Sequence, residues 1–402
     1  MMIISAYFIL VGIILISFTR VRLKIFGKMS NPFGFFIIIN FFLISLPGVL
    51  IVYSGQYGTL LNEGVFSVDR SVIDTVTYAY LYSVAVIFLS TMLASVIFSG
   101  FDVNHTALFS LEKEPPLLMF GLVSTVVSII YLAVLFNKIG INNIPMYWAI
   151  IGDLPQAATL KAGLIRGDIV KISESANQFF KILIPLTSYI LFNRILSRQS
   201  SYRYKAIFFV SVFVAFGFYS YELHKAPFML FLLGLIFLYM THRGLRNRII
   251  FFILLVFILL VIINMIYFEI DWNNLNLALE KVFTRLIIMQ NQGMYFIVDM
   301  IEPDLERLKN GMLFGSYIFD DIPQRADAIV MESLYGSVES NVNMNTYFLG
   351  EAYSSMGLIG LAVSPFIIAT QLIVYLVLFK ILIRRHYDFF FPLSLVVFIF
   401  FI

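Results

Sequence analysis

The sequence predicts an all-α, polytopic membrane helical bundle, and composition is the first reason. Of the 402 residues, 60% are hydrophobic and only 13% are charged, whereas soluble domains carry about 45–50% apolar and about 25% charged residues. The net charge of +3 is too small to indicate a nucleic-acid partner, and there is no dense basic run, so we expect none. The chain contains no cysteine, which excludes disulfides, thiolate metal ligands and a cysteine nucleophile.

The second reason is the length of the apolar runs, since a helix needs about 20 mostly apolar residues to cross the bilayer core. The first run has no basic segment before it and no small-residue cleavage site after it, so we expect a retained span rather than a cleaved signal peptide. The runs predict about ten spans within a single integral membrane domain over 1–402, at 2–18, 34–53, 75–98, 116–137, 177–193, 206–221, 227–241, 249–268, 355–379 and 389–402.

Orientation is predicted by the distribution of lysine and arginine. Fifteen of the 27 basic residues fall in alternate short loops, four of which are strongly basic. The positive-inside rule makes these loops cytoplasmic and places both termini outside. On the outer side we expect two long extracytoplasmic loops, 138–176 and 269–346, and the second is mainly acidic. Connections of this length usually carry function.

The first extracytoplasmic loop offers an anion-binding arginine. Arg166 is followed by Gly167, so a pyrophosphate or carboxylate can approach the backbone, and a guanidinium binds phosphate in a bidentate manner. The alternative is a surface arginine paired with Asp168 or Glu174. Upstream, the apolar stretch 144–151 is too short to span the bilayer, and we expect it to dip into the interface with aromatic anchors.

A second candidate anion site lies in the short outer hairpin that contains His224 and Lys225. Pro227 marks the start of a helix. That start would face outward with free backbone N–H groups and the positive end of the helix dipole. The alternative is that Lys225 snorkels to the lipid headgroups.

Two further candidates lie in and after the large outer loop. Arg285 begins an uncharged stretch within 279–301, which we interpret as an amphipathic outer helix lying on or tucked into the bundle; Arg285 then either reaches a buried anion or merely helps cap the outer face. Glu351 lies near the outer mouth of the ninth span, and an ionisable group at membrane depth is a functional candidate. Its alternative role is a salt bridge to another helix. Gly350, Gly357 and Gly360 are expected to allow close helix packing.

The sequence lacks the common motifs of metalloproteases, nucleotide-binding proteins and serine hydrolases. It contains no HExxH, no phosphate-binding P-loop, no GxGxxG and no GxSxG. Asp320 and Asp321 form the nearest approach to an acidic metal pair, but in an acidic loop they indicate a solvated turn. We therefore expect no metal and no cofactor.

These pieces, in this order, resemble the bacterial O-antigen and capsule repeat-unit polymerases of the Wzy type. The resemblance rests on the basic loop after the first span, Arg166-Gly167, the Lys225-Ala-Pro227 hairpin, Arg285 ahead of Gly293, and the segment from Asn345-Thr346 through Glu351 to Gly360. It covers most of the chain. It implies a GT-C-like membrane fold in the bacterial inner membrane, with an extracytoplasmic active face.

The resemblance also implies an activity, namely inverting glycosyl transfer between undecaprenyl-pyrophosphate-linked oligosaccharides on the outer leaflet. Arg166, Lys225 and Arg285 would bind the pyrophosphate leaving group, and Glu351, His224 or Asp168 would be the general base. A chain-length regulator and a flippase are possible protein partners beside the lipid bilayer. The alternatives are a lipid-linked oligosaccharide flippase, an O-antigen ligase and a non-catalytic membrane scaffold.

Overall fold

The fold is taken from a computed structural model of the chain. It describes residues 45–55, 68–97, 114–166, 174–197, 201–221, 225–243, 258, 261, 265, 274–284, 291–311, 324–335, 347–385 and 387–400. Within these residues the secondary structure is almost entirely helical and contains no strand. The all-α class predicted from the apolar runs is therefore confirmed.

The helices differ widely in length, as expected for spans joined by elaborated loops. In chain order they are α1 (Leu46–Ser54), α2 (Arg70–Ile97), α3 (Glu114–Ile139), α4 (Pro145–Ile151), α5 (Leu154–Arg166), α6 (Glu174–Ser197), α7 (Tyr202–Ser220), α8 (Lys225–Arg243), α9 (Leu275–Phe283), α10 (Gln292–Met300), α11 (Leu308–Gly311), α12 (Ala326–Tyr335), α13 (Tyr347–Arg385) and α14 (Tyr387–Phe400). Single 3₁₀ turns lie at Ile141–Asn143 and Leu305–Arg307.

Five of these helices are long and apolar enough to cross a membrane. They contain the segments Arg70–Ala94, Leu117–Ile139, Ala176–Ser197, Tyr202–Ser220 and Tyr347–Ile383. The helix over Pro227–Arg243 is apolar but shorter. Six of the predicted spans therefore coincide with these apolar helices, and a seventh, at 389–402, overlaps α14. The predicted spans at 2–18, 34–53 and 249–268 fall wholly or mostly outside the described residues, so the count of about ten stays a prediction.

Exposed apolar side chains on these helices indicate contact with lipid. Helix α3 exposes Met119 (69%) and Ile130 (58%), and α7 exposes Phe213 (74%). Soluble proteins rarely expose contiguous apolar surface of this kind. The helices therefore have the character expected of a membrane protein.

The chain divides into two compact units. Unit 1 contains α1, α2, α9 to α12 and α13 as far as Tyr375; unit 2 contains α3 to α8, the part of α13 from Leu376 onward, and α14. The single membrane domain expected over 1–402 stays a prediction beside this division.

Helix α6 is the centre of unit 2, where α3, α7, α8 and α14 all pack against it. Its Tyr189 ring stacks on Phe231 of α8 at a centroid distance of 5.6 Å, and the Tyr189 hydroxyl donates to the Phe231 carbonyl at 3.0 Å. The close approach depends on Gly234, because a Cβ atom there would overlap the Tyr189 hydroxyl.

The predicted interfacial stretch of the first long loop folds in unit 2 as α4, which packs on α5. Ile150 (74%) and Ile151 (58%) are exposed, and the indole N–H of Trp148 donates to the Asn142 carbonyl at 2.6 Å. A seven-residue helix with exposed isoleucines is too short to span and carries an apolar surface. Both features agree with the expected dip into the interface.

Helix α2 organises unit 1, packing against α1 and α10. Helix α10 is buried from Gln292 to Ile297, so part of the predicted outer segment 279–301 is tucked into the bundle. That segment contains the end of α9 and the whole of α10, in place of the single helix that we expected. Helix α9 packs its apolar face through Ala278 and Val282 against Val261 and Met265.

Candidate functional site

Helix α13 is broken near its beginning, and this break forms the centre of the candidate site. Gly357 has φ 59° and ψ −140°, which interrupts the helical backbone. A Cβ atom at Gly360 would overlap the Ala352 carbonyl. In a straight helix Ala352 and Gly360 would lie about 12 Å apart along the axis. The chain therefore bends sharply at Gly357, and a short segment, 347–356, precedes the longer apolar part of α13.

The turn that follows α10 holds the break from outside. The Ser354 carbonyl of α13 accepts the backbone N–H of Asp304 at 2.9 Å and the Nη1–H of Arg307 at 3.0 Å. Arg307 Nη1 also donates to the Glu302 carbonyl. Carbonyls near a helix interruption need external donors when the regular pattern is disturbed. Two donors supplied by the 302–307 turn meet this need.

Proline and glycine complete the contact between the turn and the break. A Cβ atom at Gly357 would lie 3.1 Å from Cγ of Pro303, so the pyrrolidine ring rests directly on the glycine. We call the seven residues at this contact the break cluster: Glu302, Pro303, Asp304, Arg307, Glu351, Ser354 and Gly357.

Glu351 is the predicted catalytic residue that the structure describes most fully. It lies half-buried on the 347–356 segment. Its backbone carbonyl accepts the hydroxyl of Ser354 at 2.8 Å and that of Ser355 at 3.1 Å. Ser354 is fully buried and is the residue whose own carbonyl is held by the 302–307 turn. Glu351 therefore lies one helical turn from an externally fixed point of the backbone.

The other predicted site residues are described only in part or not at all. Arg166 is the last residue of α5 and Lys225 is the first residue of α8. The helix start expected near Pro227 is confirmed by the bounds of α8. His224, Asp168 and Arg285 lie outside the described residues, as do the candidate N-cap residues Asn345 and Thr346. The structure consequently leaves the grouping of these residues with Glu351 as a prediction.

A carboxylate pair lies near the break cluster, in the same unit. Asp299, at the end of α10, accepts a hydrogen bond from the backbone N–H of Asp69, just before α2. Partial desolvation and the negative charge of Asp69 raise the pKa of the Asp299 carboxyl above its ordinary value. Beside them, the Arg70 guanidinium lies 4.5 Å from the Tyr53 ring centroid and pairs with Asp74 at 3.1 Å.

A band of buried polar groups joins α10 to the interior of unit 1. The Asn291 side-chain amide donates to the Ser45 carbonyl at 2.9 Å, and Thr77 and Tyr295 are fully buried beside this region of α2 and α10. Burial raises the pKa of the Tyr295 phenol well above its ordinary value, so the phenol stays protonated. The Asn291 bond ties the start of α10 to Ser45, the residue before α1.

Sequence reasoning missed Arg307 and Asp299, although both lie in the loop that it selected. Arg307 is one of several charges in 269–346, and nothing in its neighbours shows that it binds the backbone of α13. Pro303 together with Gly357 was the available signal, because each restrains the backbone. The described residues contain no group of three or more His, Asp or Glu side chains able to hold a metal ion.

No family model, curated protein or solved structure matches the chain.

Proposed function

We propose that this chain is a membrane glycosyltransferase that polymerises undecaprenyl-pyrophosphate-linked oligosaccharide repeat units on the outer leaflet, for O-antigen or capsular polysaccharide. The observation that carries the proposal is Glu351, a half-buried carboxylate on the short segment before the Gly357 break. An ionisable side chain where a membrane helix is interrupted is a functional candidate, since irregular backbone at that depth is tolerated only when buried in protein or lining a cavity.

The proposed reaction assigns one role to carboxylates and another to cations. The acceptor hydroxyl loses its proton to Glu351 and its oxygen attacks the anomeric carbon of the donor chain. The bond from that carbon to the lipid pyrophosphate breaks with inversion. Negative charge grows on the departing pyrophosphate, where Arg166, Lys225 and Arg285 stabilise it; removing one such donor typically costs about 3–4 kcal/mol. His224 and Asp168 remain alternative bases.

A flippase for the same lipid-linked substrate is the second candidate. The broken helix α13 favours it, because interrupted membrane helices build the substrate sites of many transporters. Against it, Lys181 is the only charged residue well inside a predicted span. A translocation path would require polar groups along the length of the spans.

Deletion in the native host, followed by gel analysis of surface polysaccharide, tests both candidates. Loss of polymerisation leaves single capped repeat units in place of a long ladder. Complete loss of surface sugar would favour the flippase, and an unchanged ladder would refute both.

Substitution then tests the site at matched protein levels. Glu351→Gln is expected to reproduce the single-repeat product, whereas Glu306→Gln is expected to keep the ladder, because Glu306 is an exposed carboxylate paired with Lys309 on the same turn. Arg166→Ala and Arg285→Ala should behave like Glu351→Gln. If Lys replaces Arg without loss at both positions, bidentate binding of the pyrophosphate is refuted.

A further inference from the structure

We infer that Arg307 is a positioning residue that fixes the 347–356 segment, and with it Glu351, against the break in α13. The inference rests on the proposed function for the role of Glu351. The hydrogen bonds from Arg307 to the Ser354 and Glu302 carbonyls, which we call the clamp, lie within unit 1 and do not depend on that function. No motif in the sequence marks Arg307, and its contacts are to backbone atoms.

The backbone of the 347–356 segment is free to move unless contacts from outside the segment hold it. Gly357 lacks a side chain and adopts a left-handed φ of 59°, and glycine has the widest conformational freedom of any residue. A helix interrupted at such a residue can change its bend angle by rotation about a few bonds. Hinges of this kind absorb large changes in φ and ψ.

Arg307 restrains this hinge by binding backbone carbonyls on both sides of the contact. One nitrogen, Nη1, binds the carbonyls of both Ser354 and Glu302, which links the 347–356 segment to the turn that carries Pro303. The Asp304 N–H adds a second bond to the same Ser354 carbonyl. Hydrogen bonds from a charged donor are about twice as strong as neutral ones.

A further hydrogen bond connects Arg307 to Glu351 through Ser354. The Ser354 hydroxyl donates to the Glu351 carbonyl, so the residue held by Arg307 is itself bonded to the residue that bears the carboxylate. Loss of the clamp would let this turn shift relative to bound substrate. Misplacement of a catalytic group by about 1 Å can cost on the order of 100-fold in rate.

Spin labelling of the full chain tests the clamp without any substrate. Since the protein has no cysteine, one introduced cysteine carries one nitroxide. Position 356, on the segment, and position 363, beyond the break, are both exposed. Arg307→Ala is expected to increase nitroxide mobility at 356 and leave 363 unchanged. Arg307→Lys should restore the mobility of the parent, because an ammonium also donates to carbonyls. Unchanged mobility at 356 in Arg307→Ala overturns the inference.

The polysaccharide ladder tests the link to Glu351. Arg307→Ala is expected to reduce polymer by about 100-fold, and Arg307→Lys to restore most of it. If mobility rises at 356 but the ladder keeps its parental intensity, the positioning role is refuted. Should Arg307→Ala fail to accumulate, Arg307→Met keeps the aliphatic stem and takes its place. If deletion of the whole chain leaves the ladder intact, the proposed function fails while the mobility result still judges the clamp.

Discussion

At the residue scale, the lack of a side chain at Gly357 and Gly360 serves a different purpose from the one that the sequence predicts. The sequence predicts that these glycines allow neighbouring helices to pack closely. In the structure they serve α13 itself, because Gly357 takes a left-handed conformation and Gly360 admits the Ala352 carbonyl. Both uses require the absence of a Cβ atom, so the pattern of small residues cannot distinguish them.

Gly357→Ala is expected to destabilise the protein by about 1–3 kcal/mol, the usual cost of a strained backbone conformation. The added Cβ must also push against Pro303. Thermal unfolding in detergent measures the change as a lower Tm. Gly217→Ala is the matched control, since Gly217 is helical and the nearest atom to its Cβ would be Leu132 Cδ1 at 3.8 Å. Equal Tm values for the two variants would contradict the strain at Gly357.

Asp299→Asn is expected to raise Tm at pH 7, with a smaller gain as the pH falls toward about 4. Because the Asp299 carboxyl has a raised pKa in the folded protein, the folded state binds the proton more tightly than the unfolded state. Protonation therefore stabilises the fold; this contribution is complete below the ordinary aspartate pKa and is lost as the pH rises through the folded pKa. The amide removes the charge that Asp69 repels. Tm measured across this range checks the sign, and Asp153→Asn, an exposed helix cap in unit 2, reports the background. A gain in Tm that does not depend on pH would contradict the raised pKa of Asp299.

At the element scale, the packing of α6 against α8 depends on one aromatic residue facing one glycine. Tyr189 occupies the space beside Gly234 and bonds to the backbone of α8 one turn earlier, at Phe231. In membranes, small residues let helices approach without help from the hydrophobic effect. The apolar run 227–241 predicted this helix, but its contact with Tyr189 depends on the rotation of both helices.

Gly234→Ala is expected to cost about 1–3 kcal/mol by overpacking, because the new Cβ overlaps the Tyr189 ring carbon Cζ as well as the hydroxyl. Detergent thermal unfolding should show a lower Tm than for Gly217→Ala, which adds the same methyl group in the same unit. A Tm equal to that of the control would show that α6 and α8 separate without cost.

At the scale of the whole molecule, contacts within each unit agree with the alternation of spans predicted from the charges. In unit 1 the predicted outer residues Asp69 and Asp299 are in contact. In unit 2 the Met146 N–H donates to the Tyr221 carbonyl at 3.4 Å, and both are predicted outside. His242 Nε2 lies 2.7 Å from Asn193 Oδ1, at helix ends predicted to be cytoplasmic.

Single cysteines introduced at Leu305 and Tyr202 test the orientation. Both side chains are highly exposed, at 65% and 83%, and the charge distribution places them on opposite sides. A membrane-impermeant maleimide should label position 305 in intact spheroplasts and position 202 only after permeabilisation. The cysteine-free parent controls for background. The reverse pattern would invert the predicted topology, and equal labelling of both positions would refute their separation.

The candidate site was predictable only in part. Glu351 stood out because an ionisable residue beside a long apolar run is rare, and that signal is local. Arg307 did not stand out, because its importance comes from two backbone carbonyls, one of them 47 positions away. Arg194 is similar: it belongs to a basic loop that sets orientation, yet its side chain is buried in unit 2 at the end of α6.

The sequence by itself determined the helical class and the membrane character, and it located the helices that coincide with its apolar runs. These properties depend on hydrophobicity and charge summed along short stretches of chain. Only the tertiary structure decided that α13 is broken at Gly357, that α10 enters the bundle, and that Arg307 holds the segment carrying Glu351. Those features depend on which surfaces meet in three dimensions, and contacts between residues far apart in the chain leave no periodic pattern in the sequence.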